Sequence, residues 1–538
     1  MSYAHHMNSG DSEFSHQTGC MSSLSGLRMD HQHFFFNGWQ IQKKHINCYK
    51  TWHGKGSNMR IFTKKRIWIS LLIILLAVLV YLGVSYSPYL QQGPIGCGYK
   101  AKILCSGVFV SERDPELIIE QDLSFHPLFD LIKTKVDFEN KEVTASLIGL
   151  VKAKAIYTDE LGGILLSGAD EEAIRSWPVS SIAEPQPSNP DQILWPTGDL
   201  IPETQHLEEW DLSLLNKALD KAFEEPYPEH PLRTRAVVVV YRGDLIAEQY
   251  AENITQDTPL IGWSMSKSIT NALVGLRVKD GKLDVHEPAP VPEWQDRGDP
   301  RSDITLNHLL TMSSGLEFQE TYESDPISDV NIMLFTKQDM GAFAASFLLE
   351  AKIGDKFNYS SGTANIISRI IRHSFDRYEE YLAFPRKELF NKIGMRSAVL
   401  EPDASGTFMG SSSCYATARD WARFGLFYLQ NGVWDGEQVL PEGWVEYTTT
   451  PTPASIKRQY GALFWLNTGN EKNPRKRRYP QLPRDAFFCL GHNDQSVTII
   501  PSKHLVVVRL GMTTNGGWDM EDFIADILDS MKVHSQPQ

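Results

Sequence analysis

Ser264-Met265-Ser266-Lys267 stands between the β-like stretch Leu260-Ile261-Gly262-Trp263 and an apolar helical run through Ile269, Ala272, Leu273 and Leu276. Residues three apart on a helix share a face, so Lys267 can reach back one turn to the Ser264 hydroxyl. A serine hydroxyl is a weak nucleophile at neutral pH and needs a base to take its proton. Lysine serves as that base only when neutral. Burial and the positive end of a helix dipole both move its pKa that way. The S-x-x-K pattern alone arises by chance in many chains, so its meaning depends on partners elsewhere.

Two segments supply them. Lys356-Phe357-Asn358-Tyr359-Ser360-Ser361-Gly362 carries Tyr359. A lysine cation nearby is expected to lower its phenol pKa, so that it relays a proton between serine and leaving group. Phe488-Cys489-Leu490-Gly491-His492-Asn493-Asp494-Gln495-Ser496 runs into the strand-like Val497-Thr498-Ile499-Ile500. A strand edge beside a serine aims backbone N–H groups at an oxyanion. The Ser264 N–H is expected as one donor, and Asn493, Asp494 or Gln495 as the source of the second. His492 is expected to contact substrate.

Three motifs in this order resemble the serine β-lactamase and penicillin-binding superfamily. The resemblance is strongest to its class C-like branch, and within it to the 6-aminohexanoate-oligomer hydrolases and β-lactamase-like esterases. Trp263-Ser264-Met265-Ser266-Lys267-Ser268-Ile269-Thr270 and Tyr415-Ala416-Thr417-Ala418-Arg419-Asp420-Trp421-Ala422-Arg423-Phe424-Gly425 carry that likeness. It covers roughly residues 212–531. It implies catalysis by Ser264, Lys267 and Tyr359 through an acyl-enzyme, with no metal and no cofactor. It also implies an α+β fold, mainly an antiparallel sheet flanked by helices, as in β-lactamases and transpeptidases.

Two departures bear on substrate. The Y-x-N of β-lactamases here reads Tyr359-Ser360-Ser361, which lacks the amide that would bind a lactam acylamino group. The K-T-G triad has become Gly491-His492-Asn493 or His492-Asn493-Asp494, so a histidine replaces the cation that grips a penicillin carboxylate. Both favour a small ester or linear amide over a β-lactam. A β-lactamase or D-amino-acid peptidase is the alternative. A non-catalytic envelope protein that binds through an old cleft is a third reading, against which the intact Ser264, Lys267 and Tyr359 speak. No G-x-S-x-G surrounds Ser264 and no H-E-x-x-H occurs, which excludes α/β-hydrolase and zinc-peptidase readings.

The rest of the chain suggests an envelope protein. Its 538 residues allow two or three domains, and a net charge of −14 disfavours nucleic acid as a partner. Residues 67–84 are uncharged, follow Lys64-Lys65-Arg66, and suit a single-pass signal anchor over 67–86. That reading places the protein in the inner membrane, with residues 1–66 as a disordered cytoplasmic tail and the catalytic domain in the periplasm. Met59 offers a second translation start. Cys97 and Cys105 would then lie in an oxidising compartment, where a disulfide between them is expected. Cys414 and Cys489 read as buried free thiols.

Residues 97–175 read as a small α+β module, with strands expected at Lys102-Ile103-Leu104, Gly107-Val108-Phe109-Val110 and Val143-Thr144-Ala145-Ser146-Leu147. Proline-rich sequence over 176–210 reads as a linker or strap, and 211–535 as the hydrolase domain. Arg475-Lys476-Arg477-Arg478 reads as a solvated loop or a contact with anionic lipid. The oligomeric state is left open.

Overall fold

The computed structural model describes residues 59–532 apart from 203–205, 228, 323, 471, 472 and 515; the side chains of 59–65, 77–90 and 474 also lie outside the description. The expected tail before residue 59, with Cys20 and Cys48, falls outside it too. The chain divides into two compact units between Pro88 and Tyr89.

A long helix, α1, runs Met59–Phe109 across that boundary. The expected membrane anchor falls on it and is not borne out: among the described residues no helix is long and apolar enough to cross a membrane. Described apolar side chains at 67–76 are exposed, Leu72 by 66% and Leu76 by 61%. Ten helical residues span about 15 Å, half of a roughly 30 Å hydrocarbon core. Side chains at 77–86, the rest of the expected anchor, lie outside the description. The inner-membrane, single-pass placement with a periplasmic domain falls with the anchor.

In the second unit α1 is buried along Cys97, Ala101, Leu104, Cys105 and Val108. Every residue from Ile95 to Val108 is buried, and the continuous helix corrects the strands expected at 102–104 and 107–110. Those short β-branched runs look extended only when read in isolation. The expected disulfide is also corrected, since Cys97 and Cys105 are free and buried. Eight residues apart on one helix, their Cα atoms stand about 12 Å apart, beyond the roughly 7 Å a disulfide can bridge.

Helix α2 (Pro115–Asp122) starts with Pro115 at its first position under the Asp114 cap. Helix α3 (Pro127–Leu131) ends against the Lys100 ammonium, which donates to the carbonyls of Phe129 and Ile132, each at 3.0 Å. An antiparallel meander follows: β1 (Ile132–Asp137), β2 (Glu142–Leu147), β3 (Val151–Thr158) and β4 (Gly162–Leu165). Lys102, fully buried on α1, pairs with the equally buried Glu401, which also accepts from Ser106 Oγ at 2.7 Å and the Gly163 N–H at 2.6 Å. A buried ion pair lasts only where its remaining lone pairs are satisfied, and here they are. It ties α1 and the meander to the rest of the unit.

Residues 195–198, within the proline-rich segment, are held by Arg423. Arg423 donates to the Pro196 carbonyl at 2.7 Å and the Gly198 carbonyl at 2.6 Å, and its guanidinium lies over the Trp195 ring. Helix α4 (Leu212–Ala222) buries the stripe Leu215, Ala218, Leu219 and Ala222. Strands β5 (Thr234–Tyr241) and β6 (Asp244–Tyr250) form a hairpin.

Three helices build the body of the unit: α5 (Ser266–Lys279), α6 (Asp329–Thr336) and α7 (Ser361–His373). Helix α5 is buried on every face from Ser266 to Arg277 and packs against α7. Helix α8 (Ala418–Leu429), capped by Thr417, lies on the central sheet. At its Gly425 a Cβ would meet Val506 at 2.6 Å and Val497 at 2.8 Å, so only glycine permits that approach.

Strands β7 (Trp465–Leu466), β8 (Phe487–Gly491), β9 (Gln495–Ile500) and β10 (Leu505–Gly511) complete an antiparallel sheet of order β7-β8-β9-β10-β5-β6. Helix α9 (Met520–Asp529) packs against α4. An antiparallel sheet with packed helices is the α+β architecture expected, without the transmembrane helix.

Candidate active site

Ser264 lies in a tight turn, Trp263–Met265, that feeds straight into α5. Trp263 has φ +48°, a left-handed conformation that costs a bulky residue energy and is stored where neighbours over-determine it. Here the Ser266 hydroxyl donates to the Trp263 carbonyl at 2.7 Å and accepts from the Cys414 N–H at 2.9 Å. Ser264 itself is half-exposed.

The Lys267 ammonium is 1% exposed and makes three contacts: Ser264 Oγ at 3.0 Å, Ser361 Oγ at 2.9 Å and the Ser411 carbonyl at 3.0 Å. Burial pulls its pKa down to about 8, partly opposed by the Glu320 carboxylate. The hydrogen-bond inventory then assigns directions. Ser361 gives its own proton to Glu320 Oε1 at 2.5 Å, and the Ser411 carbonyl only accepts. When Lys267 is neutral, Ser264 is the contact left to donate into its lone pair.

Tyr359 is hydrogen-bonded to Ser264. Its ring packs on Trp465 at 5.2 Å and edge-on to Tyr460 at 5.8 Å. The sequence suggested a lowered phenol pKa; the structure raises it, through burial first and the Glu320 charge second. Lys267 sits over the ring face, 4.8 Å from its centroid, where its charge meets the π-cloud. Burial and Glu320 thus favour the protonated phenol of Tyr359.

The four residues after Gly491 play unequal parts. At Gly491 a Cβ would stand 2.2 Å from the Gly262 carbonyl oxygen, which brings β8 hard against the Ser264 turn. The His492 ring stacks on Tyr322 at 5.0 Å and meets Trp263 edge-on at 5.7 Å. Asn493 and Asp494 have φ +59° and +61°, and the buried Arg509 holds their carbonyls at 3.2 and 3.1 Å. Burial pushes the Asp494 carboxyl up against the pull of Arg509 and His492. The side chains of Asn493 and Gln495 turn to Met512 and to the Gly511 backbone. Only main-chain groups of this stretch remain as candidates for the oxyanion.

Sequence reasoning missed Glu320. It accepts from the Ser361 N–H at 2.8 Å, Ser361 Oγ, and the Tyr322 hydroxyl at 2.7 Å. A residue 41 positions from its partner, on no periodic element, leaves no local signal. Ser411 was missed for the same reason, and Ser361 was read only as the residue standing in place of an asparagine. Cys414 and Cys489 are free and buried, as read, and burial pushes the Cys489 thiol to about 12. Arg478 of the basic run lies over the Trp465 ring at 4.3 Å. Among the described residues His206, Glu208 and Glu209 have metal-ligand spacing. Glu209 there already bonds His206 and Tyr241, and the cluster shares no residue with the Ser264 network.

Residues 219–528 match the sequence profile of the beta-lactamase family. The 6-aminohexanoate-dimer hydrolase of Paenarthrobacter ureafaciens is 27% identical over 305 residues, covering 52% of this chain and 72% of that protein. An uncharacterized protein of Alkalihalophilus pseudofirmus is 22% identical over 312 residues, 54% of this chain and 87% of its own. A solved Bacillus anthracis structure, provisionally described as a 6-aminohexanoate-dimer hydrolase, is 22% identical with a TM-score of 0.49, covering 63% of this chain and 88% of its own.

Proposed function

Because the chain belongs to the beta-lactamase family and is a serine hydrolase of that family, we propose that Ser264 is its nucleophile, Lys267 its general base and Tyr359 its proton relay. The observation that carries the reading is the 3.0 Å contact between Lys267 Nζ and Ser264 Oγ, with the lysine buried and its other contacts committed elsewhere. Neutral Lys267 takes the serine proton as Oγ attacks the carbonyl carbon. The Ser264 N–H and a backbone N–H from residues 493–495 stabilise the oxyanion, a contribution of about 3–4 kcal/mol per donor in such sites. Tyr359 then passes a proton to the departing alcohol or amine and is itself reprotonated by the Lys267 ammonium, which leaves the lysine neutral again. Water repeats the attack with the roles reversed and releases the acid.

The substrate is a small ester or a linear amide. Ser361 stands where a β-lactamase keeps asparagine, and its hydroxyl is held between Lys267 and Glu320. The named activity of the Paenarthrobacter relative supports a linear amide. Reaction with a fluorophosphonate probe tests the nucleophile: wild type is expected to label and Ser264→Ala not to. Equal labelling of the two proteins contradicts the reading. A chromogenic cephalosporin turned over as fast as p-nitrophenyl esters would return the β-lactamase alternative.

A further inference from the structure

Next to Trp263, which directly precedes Ser264, lies an apolar cleft with a free volume of ≈ 90 Å³. One wall is Tyr99 of α1 with Phe125 and Phe129 from the segment around α3; the other is Trp263, Phe335 and His492. The first wall lies wholly before residue 219, where the family match begins. Its position is fixed by packing. The Tyr99 ring stacks on Phe129 at 5.3 Å and on Trp263 at 6.3 Å, and meets Phe335 edge-on at 5.0 Å. The buried pair of Asp122 with Arg235 on β5 ties the same segment to the sheet, and the Lys102–Glu401 pair ties it to the segment around residue 401.

The cleft adjoins the Ser264 turn through Trp263, while Ser264, Lys267 and Tyr359 themselves do not line it. Trp263 directly precedes Ser264, and His492 stacks on Tyr322, whose hydroxyl donates to the Glu320 that braces Ser361. Among the described lining residues there is no carboxylate, lysine or arginine. A buried ammonium without a partner is costly, so this cleft suits a chain with no charge at its far end. An aminohexanoyl group carries such an ammonium.

We propose that this cleft receives the apolar acyl group of the substrate, so that the enzyme acts on esters or amides of uncharged medium-chain or aryl carboxylic acids. The inference rests on Ser264 being the nucleophile. Fluorophosphonates with alkyl chains from ethyl to decyl test it on the whole chain, through the second-order rate of Ser264 labelling mapped by mass spectrometry. The rate is expected to rise about fourfold per added methylene until the cleft is filled. Phe125, 37% exposed at the mouth, is the site for the variant. Phe125→Ala is expected to lower the decyl-to-ethyl ratio at least tenfold, and Phe125→Glu further. Phe138→Ala, an exposed phenylalanine of the same module outside the cleft, is expected to leave the ratio unchanged. A flat chain-length series, or a ratio untouched by Phe125→Ala, overturns the acyl pocket while ethyl labelling of Ser264 keeps the nucleophile. No labelling of Ser264 by any probe overturns both.

Discussion

Lys267 joins the structure of the site to its pH behaviour. Burial brings its pKa to about 8, and only the neutral amine accepts the serine proton. Below that value kcat/KM is expected to fall about tenfold per pH unit, and above it to level off, since kcat/KM reports groups of the free enzyme. Glu320 favours the charged lysine, so Glu320→Gln is expected to move the acidic limb to lower pH. A limb that stays in place or moves up would contradict the base assignment. The pair Ser264 and Lys267 was legible because helical spacing alone brings them together. Tyr359 was legible as a residue but not in its charge state, because that depends on burial and on Glu320, neither of which the local sequence displays.

At the scale of elements, helix α5 after Ser264 and strand β9 around Val497–Ile500 were readable from period and flanking residues. Helix α1 was not. Its run from Ile95 to Val108 is buried on every face and so shows no amphipathic period, and two buried lysines break the apolar pattern. Those lysines are satisfied by partners 29 to 299 positions away, which no window could include. The close approach of β8 to the Ser264 turn was equally hidden, since it depends on a missing side chain. Gly491→Ala would force a methyl to within 2.2 Å of the Gly262 carbonyl and push strand and nucleophile apart. Its kcat/KM is expected to fall on the order of 10- to 100-fold, with a lowered melting temperature. Activity kept at wild-type level would show that the strand does not set the geometry of Ser264.

On the scale of the molecule, the family region is only part of its compact unit. Residues 89–218 precede it but share one compact unit with it. The deepest link is the Lys102–Glu401 pair, whose side chains are 3% and 0% exposed. Removing one partner of such a pair strands a buried charge at a cost of about 3–5 kcal/mol. Glu401→Gln is therefore expected to lower unfolding stability by about that amount in urea titrations. A change under about 1 kcal/mol, the range of exposed pairs, would show the module to be loosely attached.

The central claim is a covalent intermediate on Ser264. Rapid acid quench during turnover of a p-nitrophenyl ester, followed by peptide mapping, reads it directly. The acyl mass is expected on the peptide carrying Ser264, and to be absent in Ser264→Ala. Acylation at another residue, or turnover that persists in Ser264→Ala, would contradict it.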